Sequence, residues 1–184
     1  MKSRKEMGEE VLSSETVYRG RSMHVRRDEV MLPTGRKTSR EIIEHPGSVA
    51  IIPILGDGRI VLIRQFRLAA GGIIWEVPAG TMERGEAPRD CALRELREET
   101  GFRAGRMEFL FSCFLAPGYS MERMHFFRAS ELEEGSQRTE EDEAISVEPV
   151  GAEEAMRMIA DGTIVDAKTI ASVAYLRAQA ATHA

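Results

Sequence analysis

The chain is 184 residues long, 42% hydrophobic and 30% charged, with 16 Gly and 7 Pro. That is enough chain and enough apolar surface for one packed domain with a small appendage, which argues against wholesale disorder. A formal charge of −5 and a pI near 5.5 lack the basic excess of proteins that grip a phosphate backbone, so nucleic acid is not an expected partner, although small phosphorylated ligands stay open.

The charged stretch from Met1 to Glu10 is not followed by an apolar run, and nowhere do about 18 apolar residues stand together. Neither a membrane span nor a secretory signal is expected, and the cytoplasm is the expected compartment. Cys91 and Cys113 are the two cysteines; they make neither a disulfide framework nor a zinc spacing and read as small buried hydrophobes.

In chain order, residues 1–14 are polar, lack a period and read as frayed. Glu15 to Ile43 alternates, with Val17, Val25, Val30 and Leu32 set among charges and a turn at Leu32-Pro33-Thr34-Gly35-Arg36, which predicts a small antiparallel sheet. Residues 48–55 and 59–66 are β-rich arms about Gly56-Asp57-Gly58 and predict a hairpin inside the fold. Ile73 to Val77 is a further strand, ended by Pro78-Ala79-Gly80. From Ala87 to Thr100 the period becomes helical, with Ala87, Cys91, Leu93 and Leu96 as a narrow apolar stripe, Pro88 in the first turn and Gly101 at the exit.

Glu108 to Phe114 and Met124 to Ala129 read as strands joined by a loop through Pro117. Glu131 to Asp142 reads as an acidic surface loop, and Ile145 to Val150 as a strand. Two helices follow, Glu153 to Asp161 and Asp166 to Ala180, the second capped by Asp166 and patterned by Ile170, Val173, Ala174 and Arg177. Strands among a few helices give an α+β fold with sheets packed between helices. Trp75 reads as core, Phe66, Tyr119 and Met121 as core or loop, and the four histidines show no ligand spacing.

On the helix of residues 87–100, Glu95 shares a face with Glu98 and Glu99. Like charges at this spacing destabilise a helix by roughly 0.2–0.5 kcal/mol per pair unless a cation neutralises them, and clustered carboxylates suit hard divalent ions. A bare Glu-x-x-Glu-Glu is nonetheless an ordinary solvated helix face. The flanks change the reading. Gly80, Glu86 six residues on, Arg94-Glu95, Leu96, Glu98-Glu99, Gly101 and Phe102 form one long pattern with fixed gaps.

This pattern resembles the Nudix hydrolases at every fixed position of their box. Residues 61–67, 74–80 and 116–122, with Pro117 a short distance after the box, are similar to the ADP-ribose pyrophosphatase branch. The resemblance implies a Nudix-type α/β/α sandwich with a mixed sheet over residues 46–184, and an N-terminal antiparallel β segment over residues 1–45 that pairs with a partner subunit to make a homodimer.

It further implies a metal-dependent diphosphate hydrolase using Mg²⁺ or Mn²⁺. Its substrate would be a nucleoside diphosphate sugar, ADP-ribose first, cut to AMP and ribose 5-phosphate. GDP-mannose, FAD, or ADP-ribose sensing without hydrolysis are the alternatives. By the same resemblance Glu95 and Glu99, with Glu98 and the Ala79 carbonyl, hold metal, Glu86 is an outer partner, and Arg94 orients a glutamate. Glu143, then Glu141 of the acidic loop, and Glu98 serve catalysis, while Arg67, Arg64, Glu76 and Pro117 bind substrate. For Arg67 and Arg64 the expected contact is forked donation to diphosphate oxygens, Arg67 being preferred.

Overall fold

In the computed structural model of the chain, which describes residues 7–20, 23–138 and 144–182, the first three strands, Glu10–Arg19 (β1), His24–Met31 (β2) and Lys37–Glu44 (β3), form an antiparallel sheet in the order β1-β2-β3. β1 starts at Glu10, so residues 10–14 are strand and not a frayed end. All ten of its residues are exposed, so no one-sided burial imprints an alternating pattern on its sequence. Pairing from Glu10↔Met31 to Arg19↔His24 sets the strand instead, with ion pairs from Arg27 to Glu15 and from Arg40 to Glu9 across the sheet. The β2–β3 turn closes through Gly35, which at φ 79° adopts the left-handed conformation that glycine takes without strain. This sheet and Phe114–Arg123 make one compact unit, and the rest of the described chain makes a second.

The second unit is organised by two apolar strands, Ser48–Pro53 (β4) and Ile60–Arg67 (β5). The turn between them closes as expected, Leu55 N–H donating to Arg59 O and Gly58 N–H to Leu55 O at 2.9 Å each, but the arms do not pair beyond a bridge at Ile54↔Ile60. Gly72–Glu76 (β6), Ala79–Thr81 (β7), Arg103–Phe114 (β8), Arg123–Glu133 (β9) and Ile145–Val150 (β10) explain why. β4 joins a mixed sheet of order β7-β4-β9-β8, parallel to β9 and antiparallel to β7, while β5 is the middle strand of β10-β5-β6. All six β4 residues and Ile60 to Ile63 are buried, so each strand needs cover on both faces. The expected buried hairpin does not form because both edges of β4 are taken by β7 and β9, and both edges of β5 by β10 and β6.

Three helices complete this unit: Pro88–Thr100 (α1), Ala152–Ala160 (α2) and Ala167–Thr182 (α3). Alternation along β4 divides the core. Val49 and Ile51 pack with Cys91, Ala92 and Leu96 of α1 and Phe127 of β9, whereas Ala50 and Ile52 pack with Leu62, Val77, Phe126, Ala155 of α2 and Val173 of α3. A truncation such as Ile51→Ala in so closed a layer costs about 2–5 kcal/mol. The fold is the mixed α+β sandwich the sequence predicts.

Several local readings change. Ala79–Thr81 pairs with Ser48, Val49 and Ala50 and so is strand, not a terminating turn. Glu131–Glu133 continues β9 and so is strand, not loop, and residues 139–142 of the predicted acidic loop lie outside the described residues. Phe66 stands on β5 with 57% of its surface exposed, Cys113 is half-buried, and Trp75 packs partly buried against the core. No helix among the described residues is long and apolar enough to cross a membrane.

Candidate active site

Helix α1 forms where its local chemistry dictates. Ala87 is extended at the N-cap, Pro88 supplies a fixed φ and lacks only an N–H that would be orphaned, and Asp90 lies in the first turn. At the other end Gly101 takes φ 79° and donates its N–H to Arg97 O at 3.0 Å, the left-handed closure for which the position needs glycine. Cys91, Ala92 and Leu96 bury one face against β4, and this turns Glu95 and Glu99 toward β7.

The acidic face is graded by depth. Glu99 is buried with 4% of its surface exposed, the Glu95 side chain is 13% exposed and that of Glu98 41%. Glu99 Oε2 accepts the Ala79 N–H at 2.9 Å, and the Gln137 side chain donates to Glu99 O at 2.6 Å. Glu95 lies against Gly80 so closely that a Cβ on that glycine would stand 1.9 Å from Glu95 Cδ and 2.0 Å from Oε1. The first glycine of the pattern is therefore a cradle for the Glu95 carboxylate.

Arg94 ties the face together. Its Nε and Nη2 donate to the two oxygens of Glu86 at 2.9 and 3.0 Å, and its Nη1 donates to Glu95 Oε1 at 2.7 Å and Glu98 Oε2 at 3.0 Å. Glu86 Oε2 also accepts the Glu83 N–H at 2.9 Å. The Arg94 guanidinium holds the Glu86 carboxyl down at about 2, and Glu86 in turn pushes the Arg94 pKa further up. Burial pushes the neighbouring Cys91 thiol up to about 12, so Cys91 is a neutral packing group and not a nucleophile.

Among the described residues no three acidic, histidine or cysteine side chains already surround a single point as ion ligands. Arg94 Nη1 stands between Glu95 and Glu98 and donates to both, while Glu99 Oε2 accepts the Ala79 amide. The donor set still fits a hard divalent cation: oxygen ligands on adjoining helical turns, one of them seated in a space that any side chain at Gly80 would fill.

A second cluster lies on the β5–β6 hairpin. Glu76, 3% exposed, offers Oε2 to Arg67, whose Nε and Nη2 both lie 2.8 Å from that atom, and Oε1 to Lys168 Nζ. Arg64 and Arg67 are an odd number of residues apart on β5 and leave opposite faces. Arg64 lies over the Trp75 ring, 5.3 Å from its centroid, as a cation–π contact. The structure thus brings Glu95, Glu98, Glu99 and Ala79 together, puts Arg67 beside Glu76, and separates Arg64 from them by strand face. Pro117 belongs to the other compact unit, and Glu141 and Glu143 lie outside the described residues.

Sequence reasoning missed Lys168, Thr169 and Gln137. Lys168 and Thr169 are buried in the first turn of α3, as are Ser172 and Val173 in the next. The i, i+4 repeat of Lys168 with Ser172, and of Thr169 with the already noted Val173, was the available signal, a half-polar face beside the period of Ile170, Val173, Ala174 and Arg177.

Helix α1 thus holds a row of carboxylates, graded in depth, against β7 of the mixed sheet. In sequence, residues 44–173 match the NUDIX domain and residues 9–43 the nucleoside diphosphate sugar hydrolase N-terminal domain. The chain belongs to the Nudix family. It is 35% identical over 182 residues to the ADP-ribose pyrophosphatase of Bacillus subtilis (strain 168), covering 98% of both chains. It is 39% identical over 175 residues to the methanol dehydrogenase activator of Bacillus methanolicus, covering 94% of this chain and 95% of the other. A crystal structure of an ADP compounds hydrolase superposes with a TM-score of 0.84 at 25% identity over 95% of each chain.

Proposed function

We propose that this chain hydrolyses the diphosphate linkage of ADP-ribose, releasing AMP and ribose 5-phosphate with a divalent metal, Mg²⁺ or Mn²⁺. The observation that carries this reading is the seating of Glu95 on Gly80 and of Glu99 on Ala79, two carboxylates at one sheet edge, in a chain similar in sequence over nearly its whole length to the Bacillus subtilis pyrophosphatase. Glu95, Glu99 and Glu98, with the Ala79 carbonyl, would hold the metal. When bound, it supplies neutralisation of diphosphate charge and a lowered pKa for water.

The chain's own groups do the rest. Arg94 and Glu86 fix the carboxylates, and Arg67, held on Glu76 through Nε and Nη2, offers its remaining donor to a diphosphate oxygen. A loop carboxylate, Glu143 first and Glu141 second, takes a proton from water as the water oxygen bonds to phosphorus and the bridging P–O bond breaks, with Glu98 the alternative on the helix. The test is a panel of ADP-ribose, GDP-mannose, FAD and nucleoside triphosphates with product identification. Preferred release of AMP and ribose 5-phosphate is expected. Binding of ADP-ribose without metal-dependent release of AMP and ribose 5-phosphate would overturn hydrolysis, and preference for GDP-mannose would overturn the substrate.

The N-terminal sheet supports a homodimer. β1 is an edge strand with Val11, Leu12, Val17 and Tyr18 exposed, a surface that a soluble chain covers. Light scattering should give twice the chain mass, and a fully active monomer would refute the dimer.

A further inference from the structure

We infer that Lys168 is a positioning residue for substrate binding, acting through Glu76 on Arg67; this rests on the reading of Arg67 as a diphosphate-binding group. Glu76 and Lys168 are 3% and 7% exposed, whereas the Arg67 side chain is 40% exposed. A dry ion pair therefore supports a guanidinium that reaches the surface. Replacing such buried pairs with apolar residues is commonly neutral or stabilising, so stability alone does not call for charges here. A need for fixed geometry does.

The contacts show what is fixed. Lys168 Nζ occupies Glu76 Oε1, and both Arg67 contacts, from Nε and Nη2 at 2.8 Å each, fall on the other oxygen. Arg67 is thereby denied the two-oxygen fork that an arginine makes with a free carboxylate. Its Nη1 carries no contact among the described residues and stays open to an anion.

Lys168 is itself anchored. Its ammonium lies 3.1 Å from Asp166 Oδ1, and Asp166 Oδ2 accepts from the Thr169 amide at 2.9 Å and the Thr169 hydroxyl at 2.6 Å. Thr169 Oγ1 then accepts the Val77 N–H at 2.8 Å, one residue beyond Glu76. The first turn of α3 is locked to the end of β6, and through it to Arg67. Without Lys168, Arg67 would close onto both Glu76 oxygens and withdraw its free donor.

A double-mutant cycle tests this. K168M, R67Q and the double variant are compared for KM and kcat with saturating Mg²⁺, and for ADP-ribose binding by calorimetry in EDTA. K168M is expected to raise KM and Kd about tenfold, the cost of one charge-assisted contact, with kcat within about twofold. In the R67Q background it should add nothing. Additive effects, or a K168M phenotype in kcat alone, overturn the inference. If R67Q raises KM and K168M does not, the inference fails while the Arg67 reading stands; if R67Q leaves KM unchanged, both fail. Should K168M not fold, K168Q keeps a neutral donor to Glu76 and must show a smaller rise that again vanishes with R67Q.

Discussion

The carboxylate of Glu95 rests on Gly80 with no room between them: a Cβ at that glycine would lie 1.9 Å from Glu95 Cδ. The obstructing atoms are the far end of a flexible side chain, not backbone, so Glu95 can swing aside while β7 keeps its pairing with β4. Gly80→Ala should therefore fold, and should lose activity because a misplacement of about 1 Å at a site group costs roughly 100-fold. Steady-state kcat and a thermal melt on the same preparation check this. Near-normal turnover would mean that the seat of Glu95 is irrelevant to the chemistry.

The depth gradient along α1 separates the roles of its glutamates. Glu99 accepts from the Ala79 N–H at 2.9 Å, and a glutamine oxygen accepts the same bond, so Glu99→Gln should keep the fold. It removes a charge that the proposed metal needs, and turnover should fall by more than about 100-fold, beyond the usual loss for an outer-sphere partner. Glu98→Gln, on a side chain 41% exposed, should cost less. Turnover measured across a Mg²⁺ titration decides between them; an equal or reversed order would reassign the principal ligand.

The Glu86–Arg94 pair makes a pH prediction. The Glu86 carboxyl lies at about 2 in the folded chain, below its ordinary 4.5, because Arg94 donates to both its oxygens. A depressed folded value means the pair stabilises fully above about 4.5 and loses that contribution as pH falls toward about 2. Glu86→Gln should cost roughly 1–3 kcal/mol at pH 7, and its melting temperature should fall less steeply than wild type between pH 4.5 and pH 2. Parallel curves over that window would show that the pair does not couple to folding.

Much of this site was legible in the sequence because its elements are local. Gly80, Pro88 and Gly101 mark backbone constraints that act within a few residues, and Glu95 and Glu99 share a face by helical arithmetic alone. The partnership of β4 and β5 was not legible. Their tight Gly56-Asp57-Gly58 turn is real, but membership of different sheets is decided by β9 and β10, far along the chain. Lys168 was hidden for a related reason: a lysine in a first helical turn reads as solvent-facing until Glu76, 92 residues away in sequence, is brought to it. The strand character of residues 10–14 was invisible because exposed strands carry no alternation.

Thr169 gives the sharpest test of the α3 anchor. Its hydroxyl donates to Asp166 and accepts the buried Val77 N–H, so one oxygen satisfies both the helix cap and a backbone donor. Thr169→Val keeps the shape and leaves the Val77 amide unpaired, at a cost of about 1–3 kcal/mol. At this chain length that corresponds to roughly 2–4 °C in melting temperature per kcal/mol. Thr169→Ser retains the hydroxyl and should recover most of the loss, less a methyl group's packing. If valine and serine melt together, the hydroxyl is not what joins α3 to the end of β6.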